Sequence, residues 1–317
     1  MTNDDKNFYL KISLLILAAF FVWFFGSHKE DFSALKAEKS SEWQPKTPAA
    51  LTNFVPPTLV VFKDSENTLP KRNWSMPFLE LEAQAALAIK TDGNRVYYNK
   101  NIEMQRSVAS LTKLMTAIIV LENYDLDEVI KIPLSAVRRE GAMGDLKPDE
   151  SITVRSLLSI MLIDSSNDAA FALAERRADF VSLMNKKAKE LGLANTHFAN
   201  PDGLDKPGNY SSALDIEKIF SYLINTYPEA FEILKTKNMV VYSADGKTEH
   251  RLKNTNELLG KVNEVVAGKT GYTDEAGGSL ILLTENNIIT VVLGSPDRFS
   301  ESEKLINWLR VAYIWEK

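Results

Sequence analysis

The chain of 317 residues is 45% apolar and 25% charged, with a formal net charge of -5, which provides for one globular domain and an appendage. A mildly acidic balance without a Lys/Arg tract offers no electrostatic footprint to a phosphate backbone, so nucleic acid is excluded as a partner. Cysteine is absent, which removes disulfide frameworks and thiolate metal sites and leaves the redox compartment unread.

From Ile12 to Phe25 every residue except Ser13 is apolar, and Lys6 and Lys11 precede the run. Its length suits a signal-peptide core or a short span, since a full transmembrane helix needs roughly 20 apolar residues. The run ends in Trp23-Phe24-Phe25, and the following Gly26-Ser27-His28-Lys29-Glu30-Asp31 has no small-x-small cleavage pattern. Residues 1–26 therefore read as an uncleaved membrane anchor in preference to a removed signal. Lys29, Lys36 and Lys39 balance the lysines ahead of the run, so the positive-inside rule sets no orientation. Residues 27–82 are polar and punctuated by Pro45, Pro48, Pro56, Pro57, Pro70 and Pro77, which keeps the backbone extended and makes this a spacer. Within it, Leu59-Val60-Val61-Phe62 is either a short strand docked on the later domain or an apolar turn. The compact domain is expected over 83–317.

That domain opens with a hairpin, Ala85 to Ile89 and Arg95 to Tyr98, joined through Thr91-Asp92-Gly93-Asn94. After Ser110 the pattern becomes helical, with Leu111, Leu114, Met115, Ile118, Ile119 and Leu121 leaving few polar positions, so the helix must be largely buried. Further helices are expected over 154–163, 169–176 and 180–191. Strands are expected over 239–242, 265–270, 279–284 and 288–294, and a closing helix over 302–313. Strands at both ends with helices between predict an antiparallel sheet formed from the chain ends and packed against a helical group.

A lysine inside an apolar helix carries a large desolvation penalty unless it is paired or neutral. Lys113 is such a residue, and its spacing from Ser110 puts both side chains on one helix face. A desolvated lysine has a lowered pKa and can take the proton of a serine hydroxyl, which activates that serine without a histidine. The competing reading is that Ser110 caps the helix and Lys113 snorkels to the surface. Ser33-Ala34-Leu35-Lys36 has the same spelling, but it lies in the polar spacer. Ser165-Ser166-Asn167 interrupts two apolar helical runs, where its hydroxyl and amide groups can relay protons and hold a substrate amide, or simply cap the next helix. Lys269-Thr270-Gly271 closes the 265–270 strand, with Gly268 and Gly271 leaving room for a ligand chain to pair alongside. Lys269 and Thr270 supply a charge and a donor for a carboxylate, and a solvated strand end is the alternative. A phosphate loop is excluded, since Asn263 stands where its first glycine is required.

Ser-x-x-Lys, Ser-x-Asn and Lys-Thr-Gly in this order form the set shared by penicillin-binding proteins and class A β-lactamases. Ala109-Ser110-Leu111-Thr112-Lys113-Leu114-Met115-Thr116-Ala117 closely resembles the active-site helix of the D-alanyl-D-alanine carboxypeptidases related to the low-molecular-weight penicillin-binding proteins. Asn195-Thr196-His197-Phe198, Asn200-Pro201-Asp202-Gly203-Leu204, Asn254-Thr255-Asn256 with Leu258-Leu259, and Lys269-Thr270-Gly271-Tyr272-Thr273 are similar to that family's other signatures. The resemblance spans about Ala85 to Trp308. It implies an α/β (α+β) fold of the DD-peptidase/β-lactamase type and acyl transfer from a D-Ala-D-Ala peptide to Ser110, followed by hydrolysis. By the same resemblance Lys113 is the base, Ser165 and Asn167 assist proton transfer and positioning, and Lys269, Thr270, Gly271 and Tyr272 bind substrate. The backbone amides of Ser110 and Tyr272 form the oxyanion hole, and the fork of Arg298 takes the terminal carboxylate or is a solvated surface group.

Peptidoglycan pentapeptide stems are the implied substrates and β-lactams the implied covalent inhibitors, with no metal or cofactor. Three histidines occur, none at ligand spacing to another. Ser166 departs from the Gly often found in the family and from the Asp of class A β-lactamases, and no acidic loop resembles the β-lactamase deacylation site. The accessory β-domain and C-terminal amphipathic anchor of some members are not expected before Lys317. The N-terminal segment is expected to tether an extracytoplasmic enzyme, or to release a secreted one if cleaved. A DD-endopeptidase, a β-lactamase and a non-catalytic wall-binding scaffold are the alternative readings.

Overall fold

A computed structural model describes residues 70–93, 95–138 and 145–314. The apolar run 12–25, the spacer as far as residue 69 with its 59–62 segment, and Asn94 of the expected turn lie outside the described residues. In chain order the strands are β1 (Lys71–Arg72), β2 (Ala85–Lys90), β3 (Val96–Lys100), β4 (Val129–Lys131), β5 (Ser151–Thr153), β6 (Asn238–Tyr242), β7 (Glu249–Lys253), β8 (Val265–Thr273), β9 (Gly277–Thr284), β10 (Ile288–Ser295) and β11 (Tyr313–Ile314). The helices are α1 (Lys113–Asn123), α2 (Leu134–Val137), α3 (Val154–Ile163), α4 (Asn167–Glu175), α5 (Phe180–Glu190), α6 (Ala213–Thr226), α7 (Pro228–Lys235) and α8 (Arg298–Ala312), with a 3₁₀ turn at Ala109–Thr112 leading into α1.

Five strands form the main sheet in the order β3-β2-β10-β9-β8, every neighbouring pair antiparallel. The opening hairpin is thus inserted beside the last long strand, with Leu87 opposite Val291 and Ala86 opposite Val292. This is the sheet of chain ends expected from the order of elements.

Both faces are covered, because side chains alternate across a strand and here both sets are apolar. Ala86, Ala88, Ile288 and Val292 face Leu305, Trp308 and Leu309 of α8. Leu87, Ile89, Ile281, Ile289, Val291 and Leu293 face the opposite way, into the core shared with Leu111, Leu114 and Ile118. Helix α1 packs against α3, α4, α5 and α6, and its residues from Lys113 to Val120 are all buried.

Residues 70–82, read from the sequence as the end of the spacer, lie on this domain. β1 pairs with β11, Trp308 Nε1 donates to the Pro77 carbonyl over 2.9 Å, and the Arg72 guanidinium lies 4.9 Å from the Trp308 ring centroid. Buried Glu301 accepts from the Ala83 amide over 2.9 Å and from the Glu82 amide and Ser295 hydroxyl, so α8 holds the entry to β2.

Three expectations about the elements need correction. The strand carrying Lys269 runs on to Thr273, because Gly271, Tyr272 and Thr273 continue the ladder against Ser279, Gly278 and Gly277; the Lys-Thr-Gly triplet is therefore mid-strand. Helices α6 and α7 were missing from the expected set, although Ile216, Ile219, Phe220 and Leu223 bury one stripe at helical spacing. The β4–β5 ribbon was also missing, since a strand of three residues has too short a period to read.

Leu87 is fully buried in the second strand of the sheet. Leu87→Ala is expected to lower unfolding stability by about 2–5 kcal/mol, read by urea denaturation as a reduced midpoint at unchanged slope.

Candidate active site

The sheet and the helical group meet at the 3₁₀ turn before α1. β8 is the last strand of its sheet, and its other flank runs past this turn. The approach requires glycine: a Cβ on Gly271 would sit 2.9 Å from the Val108 carbonyl and 3.0 Å from the Ser110 amide. Ala109 adopts φ 49°, a left-handed backbone rare for a residue with a Cβ, and Gly203 makes room for it, since a Cβ there would lie 2.1 Å from the Ala109 carbonyl. Ser110 is thus held in a strained turn and makes no helix-capping bond, so the capping alternative does not describe it.

Lys113 begins α1 with no exposure to water. Its Nζ lies 2.8 Å from Ser110 Oγ, 2.7 Å from Asn167 Oδ1 and 2.6 Å from the Asp202 carbonyl. Burial lowers its pKa to about 7, against a smaller opposing pull from Asp202. The snorkelling alternative is excluded by this burial.

The polar break between α3 and α4 divides its work among adjacent residues. Ser166 caps α4, its hydroxyl accepting from the Ala169 amide over 3.1 Å. Asn167 turns its amide oxygen to Lys113, and Ser165, in a left-handed conformation at φ 64°, receives Lys269 Nζ over 2.7 Å. Ser166 thus caps the helix while its neighbours Ser165 and Asn167 turn polar atoms to the two buried lysines.

Lys269 is buried and donates also to the Thr270 carbonyl over 3.0 Å. Burial, then the nearby charges of Lys113 and Arg298, hold its pKa well below the usual lysine range. Thr270 Oγ1 lies 2.6 Å from Thr255 Oγ1. Arg298, the first residue of α8, rests its guanidinium 5.9 Å from the Tyr272 ring centroid, and its buried Nε has no hydrogen-bond partner among the described residues. Burial lowers the Arg298 pKa.

Ser110, Ser165, Asn167, Thr270, Gly271, Tyr272 and Arg298 all line one cleft of about 480 Å³, with the two buried lysines hydrogen-bonded to its serines. The nine candidate site residues read from the sequence are therefore brought to this place. The buried amine of Lys269 and the guanidinium of Arg298 converge on it, an arrangement of donors that suits an anionic ligand. Among the described residues no group of His, Asp or Glu is placed to hold a metal ion.

Sequence reasoning assigned no role to the loop 200–204 or to Thr255. The Asn200 side chain closes that loop on itself, accepting from the Gly203 amide and donating to the Leu204 carbonyl, which delivers the Asp202 carbonyl to Lys113. Both segments had been noted as signatures, but a backbone carbonyl leaves no mark in the identity of its own side chain.

The fold superimposes on the crystal structure of the Streptomyces K15 DD-transpeptidase with a TM-score of 0.69, covering 74% of this chain and 100% of that one at 29% identity. A D-alanyl-D-alanine carboxypeptidase from Mycobacterium tuberculosis H37Rv gives the same TM-score over 76% of this chain and 96% of that one, at 27% identity. The architecture is that of the DD-peptidase class. A model of peptidase family S11, D-alanyl-D-alanine carboxypeptidase, matches residues 71–297, and the chain belongs to that family. Among curated relatives, the Bacillus subtilis carboxypeptidase DacF is 36% identical over 62% of this chain and 52% of its own length, and Escherichia coli DacC is 34% identical over 72% and 61%. The chain thus spans between about half and three fifths of the length of these two relatives. A D-alanyl-D-alanine endopeptidase of Escherichia coli is 28% identical over 74% of this chain and 79% of its own length.

The lowered pKa of Lys113 has a consequence for stability. Between about pH 7 and 10.5 the unfolded chain holds a proton on this amine that the folded chain lacks, so stability rises with pH across that window. The burial penalty is full below about 7 and gone above 10.5. Lys113→Met is expected to reduce that slope by up to about 1.4 kcal/mol per pH unit, measured by urea unfolding of both proteins at several pH values in the window.

Proposed function

We propose that this chain is a serine-type D-Ala-D-Ala carboxypeptidase acting on peptidoglycan stem peptides through an acyl-enzyme on Ser110. The observation that carries the reading is the contact of Lys113 Nζ with Ser110 Oγ at 2.8 Å, made by a fully buried amine whose pKa that burial lowers to about 7. A neutral amine has two N–H donors and one lone pair. Asn167 Oδ1 and the Asp202 carbonyl can only accept, so they take the two donors and leave the lone pair for the Ser110 hydroxyl.

In this mechanism Ser110 Oγ attacks the carbonyl carbon of the penultimate D-Ala as its proton passes to Lys113. The backbone amides of Ser110 and Tyr272 receive the oxyanion; the Ser110 amide faces the Gly271 flank of β8. The C–N bond breaks as the proton taken up by Lys113 is passed by way of Ser165 and Lys269 to the departing amine of the terminal D-Ala, which leaves Lys113 neutral again, and Asn167 positions the peptide. Lys269, Thr270 and Arg298 hold the terminal carboxylate, Arg298 through the planar fork that suits it. Water then hydrolyses the ester, its proton taken by Lys113, and Ser110 is regenerated. No metal or cofactor enters any step. Penicillin, whose strained amide mimics the scissile bond, acylates the same serine.

Residues 1–26 are proposed to tether the enzyme on the extracytoplasmic side through the apolar run 12–25, with a spacer from residue 27 that ends before β1 and a catalytic domain that includes residues 70–82. Among the described residues no helix is long and apolar enough to cross a membrane. DD-endopeptidase action on cross-links is the second reading, favoured by the relative of that name.

Labelled penicillin is expected to form a stable adduct with the wild type and none with Ser110→Ala; equal labelling of the variant would sink the nucleophile assignment. Because the base must be neutral, the acylation rate is expected to rise with pH around a midpoint of about 7 and then level off, measured by stopped-flow with a fluorescent penicillin. Defined muropeptides separate the two peptidase readings: D-Ala release from monomeric pentapeptides is expected, and cleavage confined to cross-linked dimers would establish the endopeptidase instead.

A further inference from the structure

The orientation of Lys113 depends on a backbone carbonyl in the loop 200–204. The Asp202 carbonyl lies 2.6 Å from Lys113 Nζ, in a loop closed internally by Asn200 and by the Asp202 side chain, which accepts from the Leu204 amide over 3.1 Å. Those bonds shape the loop. They do not set its distance from α1.

Thr116 does. It lies one turn after Lys113 on the same helix face, is fully buried, and donates Oγ1–H to the Pro201 carbonyl over 2.6 Å. A threonine inside a helix ordinarily returns its hydroxyl to its own helix backbone or turns it to solvent. Here it has no solvent, and its single donor leaves the helix for the residue preceding Asp202. A β-branched, polar residue is also a poor choice for helix stability where its neighbours are Met115, Ala117 and Ile118. Packing alone would be met by an apolar side chain of the same shape.

The geometry points to Thr116 as a positioning residue for the reaction: by anchoring the Pro201 carbonyl to α1, it holds the Asp202 carbonyl on one N–H of Lys113 and so keeps the amine's lone pair aimed at Ser110. If the carbonyl drifts, an N–H of the amine becomes free to turn toward Ser110 Oγ, and the base presents a donor where an acceptor is required. The loop also carries Gly203, pressed against the Ala109 carbonyl beside the nucleophile, so its displacement reaches both members of the pair. This inference rests on the reading of Ser110 and Lys113 as nucleophile and base.

The test compares wild type, Thr116→Val, Thr116→Ala and Thr116→Ser for penicillin acylation and for kcat and KM of D-Ala release between pH 5 and 9, with thermal midpoints confirming the fold. Thr116→Val is expected to lose roughly 10- to 100-fold in kcat and in acylation rate with KM little changed, the scale of a misplaced reacting group. Its pH midpoint is expected to fall below that of the wild type, since a carbonyl that stabilises the ammonium is withdrawn. Thr116→Ser should recover both rate and midpoint, and Thr116→Ala, which avoids the extra methyl, should reproduce the loss if Thr116→Val folds poorly. Wild-type rate and midpoint in a folded Val or Ala variant would overturn the inference, as would a Ser variant as impaired as Val. A wild type that neither binds penicillin at Ser110 nor releases D-Ala would overturn the underlying reading, a result distinct from any of these.

Discussion

Lys113 Nζ is removed from water at the point where the helical group meets the sheet, and that burial governs what surrounds it. An isolated ammonium there would be costly, so the neutral amine is favoured. A neutral amine in turn needs two acceptors and one donor, and these come from three distant parts of the chain: Asn167 at the start of α4, the Asp202 carbonyl, and Ser110. The sheet on one side and the helices on the other exclude solvent from this amine, so the hydrophobic core and the chemistry share one origin.

Among the described residues, those with a left-handed backbone that are neither Gly, Asn nor Asp fall at the same place. Ala109 and Ser165 both adopt left-handed backbone conformations that residues with a Cβ rarely take, and each adjoins or is a hydroxyl-bearing residue of the cleft. Such conformations persist only where surrounding structure over-determines them. Gly203 beneath Ala109 and Gly271 beside Ser110 provide the clearances, and the buried lysines Lys113 and Lys269 each reach one of the serines. Rigid elements thus hold reactive groups in positions they would not choose alone.

Much of this was legible in the sequence because it depends on local rules. The apolar run after Ser110 required a buried helix, and a lysine within it required a special environment, which separated this Ser-x-x-Lys from its copy in the spacer. The alternating and continuous apolar strands gave the sheet of chain ends. Less legible were the strand boundary at Thr273, the helices α6 and α7, and the part played by residues 70–82, whose prolines suggested a spacer while Pro77 and Arg72 engage Trp308. Prolines restrict local conformation but say nothing about which surface the extended chain then covers.

By itself the sequence determined most element types, the apolar faces, and which hydroxyls, amines and glycines were available to a polar site, since these follow from composition and spacing along a few turns or one strand. Only the tertiary structure decided which oxygen faces which amine. The Asp202 carbonyl on Lys113, the Thr116 tie to Pro201 and the division of labour among Ser165, Ser166 and Asn167 are contacts between segments far apart in the chain. Their donors and acceptors are backbone groups or hydroxyls that occur throughout the sequence, and folding alone selects the few that meet.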